Sequence, residues 1–191
     1  SVFGAGFSHY AIGSDTQGTI NVADSSPGRN DVTLQANNIN FAGDMTLEPY
    51  QTLVVNAKMA ASQTAGSIRA NNLVLLGGNI ALEQDNRIGT LAADALSVKV
   101  KSYALTIGAV TTPAGAPVAS RTITGVKAGE ASGAAGDIVL SAHRMTFTEG
   151  VEGKGNLTLQ QANAATNLNV GTTGGTGLTL GADLFGGAKI K

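Results

Sequence analysis

The sequence contains no cysteine and no tryptophan, and only 4% of its 191 residues are aromatic. The absence of cysteine excludes a disulfide framework and a thiolate metal site. Because large rings are scarce, the 42% of residues that are hydrophobic must form a core made of Leu, Ile, Val and Ala. Such side chains suit a narrow core of stacked aliphatic groups better than a globule built around large rings.

Charged side chains are also scarce, at 13% of the chain, about half the usual quarter. The 12 basic residues are scattered and the net charge is −1, so we expect no basic stripe of the kind that nucleic-acid binding requires. No apolar run approaches the roughly 18 residues of a membrane span. The first residue is Ser1 rather than Met, which favours a piece excised from a longer chain.

Proline is rare too, and Pro27, Pro49, Pro113 and Pro117 all lie between strand signals. A missing N–H would break no ladder bond at such positions. No segment has a sustained helical period of 3.6. The chain instead contains 26 glycines, 20 threonines and 14 asparagines, so hydroxyl and amide groups dominate its polar surface.

A short apolar-x-apolar pattern recurs about every 21 residues. The intervals between its first members are 21, 20, 23, 42, 19 and 21 residues, and the interval of 42 equals two periods. A constant period of this size is typical of a solenoid. We expect the two flanking residues of each copy to be buried and the middle residue to face outward. The copies begin at Val32, Leu53, Leu73, Leu96, Ile138, Leu157 and Leu178.

Two further strand signals follow in the clearest periods, such as Ile39-Asn40-Phe41 and Met45-Thr46-Leu47. The segments between them are rich in Gly, Asn and Asp, which tolerate sharp turns. Strands this short stack most simply on the equivalent strand one coil later. The sequence therefore predicts an all-β parallel solenoid, a β-helix of about eight three-strand coils.

The regular pattern covers residues 29–185. Residues 1–28 lack it and are interpreted as an N-terminal cap or lead-in, since a solenoid end exposes core and unpaired strand edge. Residues 186–191 are interpreted as a C-terminal tail. Loop insertions are expected near 109–120 and 126–136. Because the pattern resumes after two periods, we expect the first loop to leave the coil and return in phase, outside the core.

Several segments resemble the degenerate repeats of filamentous-haemagglutinin-type exoproteins, which Gram-negative bacteria export by two-partner secretion. These segments are residues 86–93, 96–98, 105–110 and 136–142, and the resemblance covers roughly residues 29–182. It implies a right-handed parallel β-helix, a large secreted parent protein, and adhesion to surfaces. The Asn-Pro motifs of that family's secretion domain are missing here, so the resemblance implies shaft rather than export signal.

His9 and His143 are the only histidines and lie far apart in sequence. A catalytic triad needs no sequence proximity, but no Gly-x-Ser-x-Gly elbow accompanies them, and both are interpreted as solvated surface residues. Asn156 begins a glycosylation sequon but is interpreted as a turn residue.

The acidic residues are spread at one or two per coil. Asp44 with Glu48, and Glu149 with Glu152, are the pairs that lie close in sequence. Both pairs sit beside turns and are interpreted as solvated side chains. A single Asp per turn also lacks the several oxygen ligands that Ca²⁺ requires. We therefore predict no catalytic, cofactor-binding or metal-binding residues, and no cofactor.

The combined interpretation is a non-catalytic, structural and adhesive β-helical shaft segment, extracellular and at a bacterial cell surface. The expected partners are a host or neighbouring-cell surface or a glycan, with end-to-end self-association through the coil edges. No nucleic-acid partner and no membrane span are expected. Two alternatives stay open: a subunit of an end-to-end β-solenoid filament, and a carbohydrate-active β-helix enzyme whose carboxylates would converge in a groove.

Overall fold

The computed structural model describes residues 6–114, 118–129, 133–163, 166–171, 176–187 and 189–191. Within these ranges the chain is almost entirely β-strand, with one 3-10 helix at Ala182–Phe185. The strands are β1 (His9–Gly13), β2 (Thr19–Val22), β3 (Ser25–Gly28), β4 (Asp31–Phe41), β5 (Met45–Leu47), β6 (Thr52–Gln63), β7 (Ile68–Ile107), β8 (Ala109–Thr111), β9 (Thr122–Thr124), β10 (Val126–Ala128), β11 (Ile138–Phe147), β12 (Val151–Gly153), β13 (Leu157–Gln160), β14 (Leu168–Val170) and β15 (Leu178–Leu180).

The strands stack in parallel as a right-handed β-helix of about seven coils, so the predicted fold is confirmed with one coil fewer than expected. Eleven strands belong to one continuous sheet. Strand β7 alone runs for 40 residues and passes several corners without leaving the ladder. The right-handed connection is the near-universal one between parallel strands.

Each coil has three faces, and equivalent residues stack from coil to coil. Val32 pairs with Leu53, and Leu53 pairs with Leu73, so that like aliphatic side chains lie on one another inside the coil. The first face contains residues 32–34, 53–55, 73–75, 126–128 and 151–153; the second contains 20–22, 39–41, 98–100, 138–140 and 157–159; the third contains 45–47, 68–69, 105–107 and 145–147.

The interior is aliphatic, as the composition predicts. Leu53, Leu73, Leu91 and Ile107 are fully buried, and Phe41 is the one ring among the largest fully buried side chains of the described residues. Corners between faces allow little space for side chains. At Gly77, φ is +103°, and a Cβ would collide with the carbonyl oxygen of Ala57 one coil earlier, so only glycine fits there.

Strands β8 and β9 form an antiparallel hairpin that leaves the coil. Its apolar side chains pack on the outside of the first face and create a second, smaller core. Arg121 also pairs with Asp94 of the coil at 3.7 Å. The members of this outer cluster are Val54, Val74, Leu76, Ala92, Val110, Val118 and Ile123.

The outer cluster overturns one expectation about the middle residues of the pattern. Thr158 is exposed, as predicted, but Val54 and Val74 are fully buried. Alternation along a strand separates its two sides, yet it does not reveal what covers the outer side. Thr33 is also fully buried, and its hydroxyl lies 2.9 Å from Nε2 of His9.

The expected phase of the pattern is also wrong. Leu96-Ser97-Val98 does not continue the face of Leu73, because Ser97 Oγ donates to Asn79 Oδ1 on the second face and Val98 pairs with Ile138. The first face continues instead through residue 93 to β10. The prediction failed because coils differ in length, and a step of 18 residues here moved the pattern to another face.

The two ends of the solenoid differ. Residues 9–28 carry β1, β2 and β3, each of which pairs in parallel with the second coil, so they form the first coil. Pro27 lies inside β3, contrary to the expectation for prolines. It is tolerated because β3 pairs on one side only and has a register shift against β5, both of which are permissive positions for proline.

The C-terminal end is covered by the chain itself. Strands β14 and β15 pair with each other rather than adding an eighth coil, which explains the lower coil number. Leu178, Leu180 and Leu184 pack on Met145, Phe147 and Leu159. In the segment predicted as a tail, Ile190 makes a parallel bridge to Val151. The expectation that Leu178-Thr179-Leu180 offers an exposed end is therefore wrong.

The hairpin packing predicts a large stability loss at a position outside the coil. Ile123→Ala should cost about 2–5 kcal/mol in free energy of unfolding, because it leaves a cavity against Val54 and Val74. The neighbouring Thr124 is exposed, and Thr124→Ala should stay within about 0.5 kcal/mol of the parent. Urea unfolding of both variants measures the difference, and equally small losses would contradict the packing.

Candidate binding groove

The corner between the second and third faces contains a buried ladder of polar side chains. Gln63 and Asn86 exchange two amide hydrogen bonds of 2.9 Å. Ser102, one coil further on, accepts the N–H of Ile88 at 3.0 Å and donates to the carbonyl oxygen of Asn86 at 3.2 Å. Asn86 and Ser102 are each 1% exposed, so three consecutive coils are joined here without water.

Asn86 makes the most bonds in this ladder. Its Oδ1 accepts the backbone N–H of Ile68 at 2.7 Å, and its Nδ2 donates to the carbonyl oxygens of Leu82 and Lys101. Together with the Gln63 pair, these bonds satisfy backbone groups that the corner would otherwise leave buried without partners. An unpaired buried polar group costs about 1–3 kcal/mol, which makes Asn86 a strong determinant of the corner's shape.

A surface groove of about 450 Å³ lies directly over this ladder. Its walls combine the ladder residues with charged and aromatic side chains from three successive coils. The residues that line it are Ser67, Arg69, Asp85, Asn86, Arg87, Lys101, Ser102, Tyr103, His143 and Ala162.

Tyr103 stands in the centre of the cationic part of the groove. The Cζ atoms of Arg87 and Arg144 lie 5.9 and 5.8 Å from its ring centroid, within the range of a cation–π contact. The ring of His143 is 5.2 Å away, centroid to centroid. Tyr103 remains 54% exposed, so it holds the guanidinium groups at an open surface.

One ion pair lies in the groove. Lys101 Nζ is 2.7 Å from Asp85 Oδ1, and the hydrogen bond from Lys101 holds the pKa of Asp85 below its ordinary value. Among the described residues, Arg69, Arg87 and Arg144 form no ion pair. The groove therefore has three guanidinium groups without a carboxylate partner, and it can bind an anion.

The fold brings these cations together although the sequence scatters them. Ile68 and Asn86 are bonded partners 18 residues apart, and Arg69 and Arg87 have the same spacing, one coil apart in the stack. Arg144 pairs with Ala104, next to Tyr103. The expectation that the basic residues stay scattered is corrected here, and the 18-residue spacing of the two arginines was the signal that could have predicted it.

The histidines have different surroundings. His143 lines the groove, whereas His9 belongs to the first coil and bonds to Thr33. Burial lowers the pKa of His9, although the nearby Asp31 opposes this shift. The structure does not bring the two histidines together.

Many acidic residues act as acceptors between coils. In each case a carboxylate accepts a backbone N–H roughly one coil later, at 2.7–2.8 Å. These carboxylates therefore serve as hydrogen-bonding partners at the corners of the shaft. The pairs are Asp24 with Asp44, Asp31 with Thr52, Asp44 with Ser67, and Asp137 with Asn156.

The two acidic pairs singled out in the sequence differ. Asp44 bonds to Ser67, not to Glu48. Glu149 and Glu152 do line one groove, but Lys127 and two further lysines line it as well, and Glu152 pairs with Lys127 at 3.5 Å. In the part of the chain that is described, no group of three His, Cys, Asp or Glu side chains is placed to hold a metal ion.

Asn156 is exposed, and its Nδ2 donates to Asp137 at 3.1 Å in a turn between coils. This geometry fits the turn role expected for it. None of the described helical residues forms a helix of the length and hydrophobicity that a membrane crossing needs. Comparison of the chain with protein-family models, curated proteins and solved structures finds no match.

The buried ladder predicts that Asn86→Ala is strongly destabilising. The variant leaves the Ile68 N–H and the Gln63 amide without partners, and each such group should cost about 1–3 kcal/mol. Asn71 is exposed, and the matched change Asn71→Ala should cost less than about 1 kcal/mol. Urea unfolding compares the two, and similar losses would show that the ladder contributes little.

The coil-linking carboxylates predict a loss of stability in acid. Hydrogen bonds from the backbone and side chain of Ser67, with Arg69 nearby, lower the pKa of Asp44 from its ordinary value of 3.8. A lowered folded-state pKa gives stability that is present above the unfolded pKa and is lost as pH falls through the folded pKa. The unfolding midpoint should therefore fall as the pH drops below 3.8.

The variant Asp44→Asn removes this titration and should show a shallower loss of stability over the same acid range. Asp15→Asn, at an exposed turn, is the matched control and should follow the parent. Thermal unfolding between neutral pH and about pH 2 measures all three chains. Superimposable curves for the parent and Asp44→Asn would contradict the assigned role of Asp44.

Proposed function

We propose that this chain is a non-catalytic shaft segment of an adhesive protein at the exterior of a bacterial cell, similar to the repeats of filamentous-haemagglutinin-type exoproteins. The observation that carries the proposal is the in-register stack of about seven coils, a form compatible with a structural shaft. Each coil contacts mainly its neighbours, so a solenoid extends by repetition and presents long lateral surfaces. Such a rod can hold a contact surface away from its point of attachment.

The use of the carboxylates supports a structural rather than a catalytic role. Glycoside hydrolysis needs two carboxyl groups that face each other across the scissile bond. Asp31, Asp44 and Asp137 instead accept N–H groups of the following coil. Asp85 and Glu152 are engaged with lysines.

The covered C-terminal end disfavours the filament alternative. A filament grown end to end needs an open strand edge at both ends of the subunit. Here Ile190 pairs with Val151, and Leu178 and Leu180 pack over the side of the last coils. Adhesion through a lateral surface does not need an open end.

The proposal predicts adhesion without turnover. Beads coated with the chain should be retained on an epithelial cell layer several-fold better than beads coated with albumin. The same chain should release no reducing sugar from a panel of polysaccharides over a day. Equal retention of both bead types would overturn the adhesive role, and a steady release of reducing sugar would overturn the non-catalytic one.

A further inference from the structure

The cations of the groove form a column along the solenoid axis. Arg69 and Arg87 occupy equivalent positions in successive coils, Tyr103 lies on the next coil, and Arg144 lies on the coil after it. Successive coils are about 4.8 Å apart. The column therefore offers positive groups at regular intervals, parallel to the axis and along an open groove.

We infer that this groove binds a linear acidic polysaccharide with one carboxylate on each sugar, lying along the solenoid axis. The inference deepens the proposed adhesive function, because it names the class of ligand that the lateral surface contacts. The arginine fork is planar and matches the two oxygens of a carboxylate. Within the same groove, Lys101 already holds the carboxylate of Asp85 at 2.7 Å, which shows the type of contact.

The charge density of the groove favours a ligand with one charge on each repeating unit. Three guanidinium groups lack a carboxylate partner among the described residues, and they are spread over several coils. Nucleic acids and densely sulfated glycans carry closely spaced charges and bind more extensive basic surfaces. Asp85, with its side chain 90% exposed beside the groove, would repel such a ligand.

Tyr103 acts as a positioning residue for the two arginines that flank it. Its ring lies within 6 Å of the Arg87 and Arg144 guanidinium groups. A guanidinium group that rests on a ring loses less rotamer freedom when it binds a carboxylate. The ring, rather than its hydroxyl, is the part that these contacts use.

Isothermal titration of the purified chain with a short oligogalacturonate tests the inference. Arg87→Gln and Arg144→Gln should each weaken binding about tenfold. Arg29 is exposed, precedes the second coil and lies outside the groove, so Arg29→Gln is the matched control and should change affinity by less than about twofold. Added salt should weaken binding by the parent chain. Tyr103→Phe should keep parent affinity, and Tyr103→Ala should lose it without a change in melting temperature.

The comparison ligands separate the alternatives. Galacturonate monomer and a neutral galactose oligomer should bind much more weakly than the acidic oligomer, as should a single-stranded oligonucleotide and a sulfated oligosaccharide of equal length. No binding of oligogalacturonate, or equal binding by Arg87→Gln, would overturn the inference. Equal affinity for the monomer or the oligonucleotide would overturn it as well, and tighter binding of the sulfated chain would overturn the carboxylate assignment.

The oligosaccharide recovered after titration is weighed by mass spectrometry. Shortened products would overturn the non-catalytic function and leave the binding inference intact. Failure of the coated beads to adhere, with oligogalacturonate binding preserved, would overturn the adhesive function alone.

Discussion

The fold depends on how the corners of a narrow three-sided coil satisfy their backbone polar groups. Along the faces, each strand pairs with the strands above and below. At the corners the chain turns inward on itself, and N–H and C=O groups would be buried without partners at a cost of about 1–3 kcal/mol each. Asn86 meets this demand with five hydrogen bonds to Gln63, Ile68, Leu82 and Lys101. Exposed corners use carboxylates for the same purpose, as Asp44 does with Ser67.

The same stacking that satisfies the corners also arranges the surface. A residue that points outward in one coil lies beside its equivalent in the next, so side chains form columns along the axis. Arg69 and Arg87 become neighbours for this reason, and Tyr103 and Arg144 join them although a hairpin separates these two in sequence. The groove above Asn86 is therefore a direct product of the corner that Asn86 stabilises.

Much of the solenoid follows from the sequence alone, because it depends on local alternation and turn residues. Leu53, Leu73 and Ile138 are buried as their pattern predicts. The covering of Val54 and Val74 could not be predicted, since the hairpin that buries them has no periodicity. The groove was missed for a related reason. Its arginines follow the step of one short coil, 18 residues, whereas the stack has other steps, such as the 20 residues from Leu53 to Leu73.

The register across the hairpin is the central claim, and paired cysteines test it most directly, because the chain has no cysteine of its own. Lys99 pairs with Val139 in the stack, and neighbouring strands are about 4.8 Å apart, within disulfide range. Lys99→Cys with Val139→Cys should cross-link under mild oxidation. Ser97→Cys with Val139→Cys represents the register of the sequence pattern and should not, because a slip of two residues places the Cα atoms about 8 Å apart. The reverse result would contradict the stack described here.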